Sequence, residues 1–176
     1  GRGGFVIYGQ GASDESGRSV SSAGDINGDG FADILIGSYR GDASGNGKYN
    51  AGDNYVIFGK ASGFAAAIDL NSLGAATGFV IFGQDAGDNA GHAVSRAGDI
   101  NGDGFDDLLI GARYADGNGN AKASAGDTYV CVGKSASFGT SLDLTTIVGA
   151  TGGLFIQGQE AGDQAGYAVA AAGDLN

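Results

Sequence analysis

Short runs of β-branched and aromatic residues punctuate this chain: "GFVIYGQ" at Gly4–Gln10, "GRSVSSAG" at Gly17–Gly24, "ADILIGS" at Ala32–Ser38 and "NYVIFGK" at Asn54–Lys60. Gly, Asn, Asp and Ser bound each run, and together these features predict four short strands. "DILIG" and "YVIF" are apolar at consecutive positions rather than alternating. Such strands are covered on both faces, as in sheets packed between neighbouring sheets. Glycines at the strand ends allow tight turns and close sheet approach. Two stretches read as loops. "YRGDASGNGKYNAGD" (Tyr39–Asp53) is long and polar, and "ASGFAAAIDLNSLGAAT" (Ala61–Thr77) has room for one helical turn around "IDLNSL".

The whole pattern then repeats. Gly4–Thr77 aligns without a gap on Gly78–Thr151, with roughly 40 of about 74 positions identical. A third copy opens with "GGLFIQGQEAGDQAG" at Gly152 and runs to Asn176. The array therefore occupies 1–176, with repeat 1 at about 4–77, repeat 2 at about 78–151 and a partial repeat 3 at about 152–176. Four-stranded units at a fixed period predict an all-β fold, a β-propeller with one four-stranded antiparallel sheet per blade. A β-solenoid would have much shorter rungs. A propeller typically needs at least four blades to close. Two repeats and part of a third thus predict an incomplete propeller and a segment of a longer chain. The missing blades would come from the same chain or from neighbouring chains.

Within each repeat one nonapeptide is invariant: "AGDINGDGF" at Ala23–Phe31 and again at Ala97–Phe105. Followed by Asp33, it places side-chain oxygens at positions 1, 3, 5 and 9 of a loop: Asp25, Asn27, Asp29 and Asp33. Gly30 stands at position 6, where the chain must turn, and the Phe31 carbonyl is available at position 7. This spacing wraps a loop around a hard cation with oxygen ligands near 2.4 Å, the ordinary Ca²⁺ shell. The second copy offers Asp99, Asn101, Asp103, the Phe105 carbonyl and Asp107. A third start, "AGDLN", supplies Asp174 and Asn176. An Asn-Gly or Asp-Gly hairpin turn would need only two of these residues. An EF-hand is excluded, because position 12 is Ile36 or Ile110 instead of Glu and strands flank the loops. Asp106, the extra acid of the second copy, falls at position 8 and is expected to point away.

Charge agrees with a cation-binding reading. The chain carries 20 acidic and 9 basic residues, a formal charge of -11. That balance argues against nucleic acid, which needs clustered Lys and Arg. Glycine is abundant at 37 residues, but 42% hydrophobic content in bounded runs excludes simple disorder. No apolar run approaches a membrane span. One cysteine rules out an intramolecular disulfide framework. The absence of an initiating Met and of a signal peptide fits a start inside a longer or processed polypeptide.

The combination "SVSSAGDINGDGFADILIGS", preceded by "GQGASDESG", resembles the FG-GAP repeat of integrin α-subunit propellers, and more closely the repeats of bacterial secreted and surface proteins. The resemblance covers essentially the whole chain. It implies that each repeat is one blade of a propeller, usually seven-bladed. It also implies that the Asp-rich loop joins the two inner strands of a blade and holds Ca²⁺. The name-giving "FG" is here Ser16–Gly17, Ala90–Gly91 and Ala165–Gly166, and "GAP" is Gly37–Tyr39 and Gly111–Arg113. The missing Phe and Pro weaken a specific link to integrin ligands and leave the calcium loop untouched. The resemblance implies a non-enzymatic, extracellular, structural or adhesive module with a protein or glycan ligand. The alternative is an accessory propeller of a secreted hydrolase or phospholipase.

Other features carry less. "GKS" at Gly133–Ser135 lacks the upstream glycine and following helix of a phosphate-binding loop. His92 aligns with Arg18 and Tyr167, so nothing marks it as catalytic. Cys131 aligns with Ile57 in a strand and reads as core. Asp42, Asp53, Asp88, Asp116, Asp127 and Asp163 recur between repeats, either as turn caps or as an extension of the ion cage.

Overall fold

A computed structural model describes residues 4–43, 47–150 and 153–173. The strands are β1 (Val6–Tyr8), β2 (Ser19–Gly24), β3 (Asp33–Ser38), β4 (Asp53–Ile57), β5 (Ala67–Asp69), β6 (Gly78–Phe82), β7 (Ala90–Gly98), β8 (Asp107–Ala112), β9 (Asp127–Cys131), β10 (Ser141–Asp143) and β11 (Leu154–Gln157). One short helix, α1, spans Leu144–Ala150. The expected turn around "IDLNSL" is a 3₁₀ turn at Leu70–Ser72, capped by the Asp69 side chain on the Asn71 N–H.

The strands form one sheet in the order β10-β6-β4-β3-β2, a second in the order β11-β9-β8-β7, and a pair β1-β5. Neighbours from β2 to β6 and from β7 to β11 are antiparallel. The pairs β1-β5 and β6-β10 are parallel. Each sheet thus takes three strands from one repeat and continues into the next: β6 and then β10 of repeat 2 extend the first sheet beyond β4, and β11 of repeat 3 lies on β9. The blade is out of phase with the sequence repeat. This interlocks successive repeats by backbone hydrogen bonds as well as by packing. The short strands β5 and β10 lie in the stretch read as a loop.

The consecutive apolar positions of β3 and β4 divide between two cores. Leu35 and Val56 join the larger core with Ile26, Phe79, Ile81, Val94, Leu108 and Ile110. Ile36, Tyr55 and Ile57 face the other way, onto Leu70 and the half-buried Ile7 and Ile68. The first sheet is therefore covered on both faces, as its lack of alternation predicts. Phe79 and Phe138 stack at 4.4 Å in the larger core, a favourable offset or parallel aromatic contact.

Strand β7 packs across β2 and β3, which places the second sheet against the first. A glycine pair sets how close they come. A Cβ on Gly37 would lie 2.2 Å from the Gly91 carbonyl oxygen, and one on Gly111 would lie 2.1 Å from that of Gly166. Gly37 and Gly111 open the "GAP"-equivalent triplets, and Gly91 and Gly166 close the "FG"-equivalent pairs. The repeat's signature glycines are thus the contact points between one unit and the next, where any side chain would force the backbones apart. Among the described residues the sheets form an open arrangement of propeller blades and do not close into a ring.

Candidate metal centres

The two Asp-rich loops connect β2 to β3 and β7 to β8, at the same end of successive blades. Glycine makes the loop possible. Gly28 and Gly30 have φ of 72° and 87°, and Gly102 and Gly104 have 75° and 92°, values that side chains disfavour.

Hydrogen bonds close each loop on its own acids. Asp25 Oδ1 accepts from the Asp29 N–H at 2.9 Å and Oδ2 from the Gly30 N–H at 2.9 Å. Asn27 Oδ1 also accepts from the Asp29 N–H, and Asn27 Nδ2 donates to Asp29 Oδ2 at 3.1 Å. The Phe31 N–H donates to Asp29 Oδ1. Asp99, Asn101 and Asp103 repeat the arrangement, with the Phe105 N–H on Asp103 Oδ1 at 3.0 Å. The positions 1, 3 and 5 picked out by spacing are therefore brought together in both copies.

Position 9 has a further task. Asp33 is 1% exposed and begins β3. It accepts from the Ile26 N–H at 3.1 Å and from the Gly59 N–H at 2.7 Å. Asp107, fully buried, does the same for Ile100 and Gly133. These carboxylates tie the loop to the end of the blade's third strand. Burial pushes Asp33 up to about 6, with Asp29 and Asp25 adding to the rise against its two backbone hydrogen bonds. Asp107 is raised for the same reasons, with Asp103 and Asp99 as the neighbouring charges.

The donor set suits a hard cation, being entirely oxygen. Among the described residues no three His, Cys, Asp or Glu side chains stand close enough together to clasp an ion as placed. Asp174 and Asn176 lie outside the described residues.

Asp106 does point away from its own loop, and it lands on the other. Its Oδ2 accepts from the Asp25 N–H at 2.8 Å, while its own N–H donates to the Asp25 carbonyl at 3.2 Å. Arg96 pairs with its Oδ1 at 2.6 Å. This staple between blades was signalled only by a break in the repeat, where Ala32 stands in the first copy.

The recurring acids of the opposite end cap turns. Asp42 accepts from the Asn50 N–H, Asp116 from Ser124, Asp53 from Ala43, Asp88 from Asp85 and Asp163 from Glu160. Asp127 differs, since its buried Oδ1 has no partner among the described residues. Burial raises Asp53 and Asp127 to about 6 and Asp88 to about 7, helped by neighbouring carboxylates. Cys131 is 3% exposed within the core, and burial pushes its thiol up to about 12. His92 is buried against Tyr39 and Tyr167, with its pKa lowered by burial and by Arg113. Lys134 of the "GKS" stretch lies over the Phe138 ring at 4.9 Å.

Successive sheets, interlocked strand by strand and carrying an Asp-rich loop at one common end, define a blade-repeat protein of the propeller class. The FG-GAP repeat family model matches residues 16–57 and 90–131, the stretches that hold β2–β4 and β7–β9. These two stretches are FG-GAP repeats, which are propeller blades. No helix among the described residues is long and apolar enough to cross a membrane.

Proposed function

We propose that this chain is a calcium-stabilised, non-catalytic propeller module of a bacterial secreted or cell-surface protein, serving adhesion. The observation that carries the reading is the pair of D-x-N-x-D-G-x-x-D loops, which fold alike at the same end of two blades. Asp25, Asn27, Asp29, the Phe31 carbonyl and Asp33 would hold one Ca²⁺. Asp99, Asn101, Asp103, the Phe105 carbonyl and Asp107 would hold the second. Asp174 and Asn176 would begin a third.

The ion's part is structural. It would neutralise the three carboxylates of each β2–β3 or β7–β8 connection, of which Asp33 and Asp107 are buried, Asp25 is half-buried and Asp29, Asp99 and Asp103 are exposed. An oxygen-rich, flexible loop favours Ca²⁺ over the smaller, more strictly octahedral Mg²⁺. With the loops committed to holding the blades, ligand contact falls to the opposite end, where the long polar connections Tyr39–Gly52 and Arg113–Gly126 lie. The test is thermal melting in calcium and in EDTA. Calcium at about 100 times its dissociation constant stabilises by about 2.7 kcal/mol per site, so chelation should lower the Tm by several degrees. Coincident melts would contradict the calcium reading.

A further inference from the structure

At the end opposite the Asp-rich loops, a cavity of about 590 Å³ opens at the junction of the two blades. That is within the ~300–1,000 Å³ range of small-molecule sites. Its lining includes Asp14, Asp42, Tyr49, Asn50, Arg113 and Tyr114. Only Asp14 and Asp42 keep their identity in the next repeat, as Asp88 and Asp116. Tyr49 and Asn50 become Ala123 and Ser124, and Arg113 and Tyr114 stand where repeat 1 has Tyr39 and Arg40. Residues needed by the blade scaffold recur. Those that break the repeat here are aromatic or hydrogen-bonding, and they gather in one place.

The cations of the cavity are in different states. Arg40 is engaged, pairing with Glu15 at 2.8 Å while Glu15 also accepts from the Tyr39 hydroxyl at 3.0 Å. Arg113 makes no ion pair among the described residues. Its guanidinium lies over the Tyr114 ring at 4.3 Å and faces the Tyr167 ring at 5.5 Å. Its buried Nε has no hydrogen-bond partner among the described residues. A buried donor left in this state is costly and calls for an acceptor. Tyr49, which also lines the cavity, is 72% exposed and belongs to neither core.

We propose that this cavity binds a neutral saccharide. The proposal deepens the binding role given above and rests on it. Tyr49 would offer its face to the C–H side of a sugar ring. The outer guanidinium nitrogens of Arg113 would donate to ligand oxygens, and Asp14 and Asp42 would accept from hydroxyls. The two carboxylates and the chain's overall charge of -11 disfavour an anionic ligand. A lining that is polar between its rings, with no deep apolar slot, disfavours a hydrophobic peptide side chain.

The test is capture of the full chain, in calcium, on an array of neutral oligosaccharides, acidic oligosaccharides and peptides. Wild type should bind neutral saccharides. Tyr49→Ala and Arg113→Gln should each weaken binding by about tenfold or more, and Tyr49→Ala should leave the melting temperature unchanged. No saccharide capture, capture of acidic saccharides or peptides alone, or capture unaffected by both variants would overturn the proposal. Failure of the broader reading looks different. Adhesion to cells that survives Tyr49→Ala would keep the adhesive role and overturn the saccharide cavity.

Discussion

Ile26 and Ile100 occupy the same position of the same nonapeptide, yet Ile26 is fully buried and Ile100 is 53% exposed. The loops around them share their internal hydrogen bonds, apart from one more in the second, where the Gly102 N–H donates to Asp99 Oδ1. The first-position carboxylate accepts from the Gly30 N–H at 2.9 Å in one and from the Gly104 N–H at 2.8 Å in the other. What differs is the neighbour. The first loop is roofed by the second blade: Asp106 holds the Asp25 N–H, the Lys134 N–H donates to the Ile26 carbonyl, and Phe105 fills the space that a Cβ on Gly28 would need. The second loop has no such roof among the described residues. The loop's shape is thus a local property of the nonapeptide, and its burial is a property of the array. In a stacked-repeat protein, stability divides in the same way between the intrinsic unit and its nearest-neighbour interface.

Truncating the two isoleucines should expose this asymmetry most strongly. Ile26→Ala should cost about 2–5 kcal/mol, the range for a large-to-small core change. Ile100→Ala in the 176-residue chain should stay within about 0.5 kcal/mol. Urea unfolding of both variants decides it, and equal losses would break the comparison. The staple should come next. Asp106→Ala leaves the Asp25 N–H without its acceptor and should cost about 1–2 kcal/mol. The mirror substitution Ala32→Asp, at an exposed position, should shift stability by no more than about 0.5 kcal/mol.

More diffuse is the response to pH. Asp33, Asp53 and Asp127 sit at about 6 and Asp88 at about 7, above the ordinary carboxylate value of 3.8. Each binds its proton more tightly in the folded chain. Its contribution to stability is therefore complete below pH 3.8 and is lost as pH rises through 6 to 7. In EDTA the Tm should fall between pH 5 and pH 8, tracked by circular dichroism. Calcium should shrink that fall, because an ion on the loop favours the ionised acids. A Tm that climbs with pH in EDTA would contradict the assignment.

Much of this was legible in the chain because it is local. The runs "DILIG" and "YVIF" announced strands covered on both faces, and the spacing Asp25-Asn27-Asp29 marked a loop that turns its oxygens toward one another. Pairing between repeats was not legible. Nothing in "GFVIF" says that it lies on the strand of the preceding repeat, since that register depends on a linker's path and not on its own pattern. Strands β5 and β10, three residues each, are too short to show a period. The anchoring role of Asp33 was hidden for a similar reason: its partner, the Gly59 N–H, lies 26 residues away. Asp106 was visible only as a mismatch between copies, and its partner lies in the other blade.

The central claim is that the repeated loops hold calcium, and calorimetric titration of the chelated protein tests it most directly. Asp29 and Asp103 are the residues to vary, because they are exposed and hold only their own loops, whereas Asp33 and Asp107 also anchor buried backbone. The account predicts calcium binding with dissociation constants of about 10⁻⁴–10⁻³ M. Asp29→Ala should remove one site and Asp103→Ala another, with each variant still folded by circular dichroism. No calcium-dependent heat, or a stoichiometry unchanged by both substitutions, would contradict it.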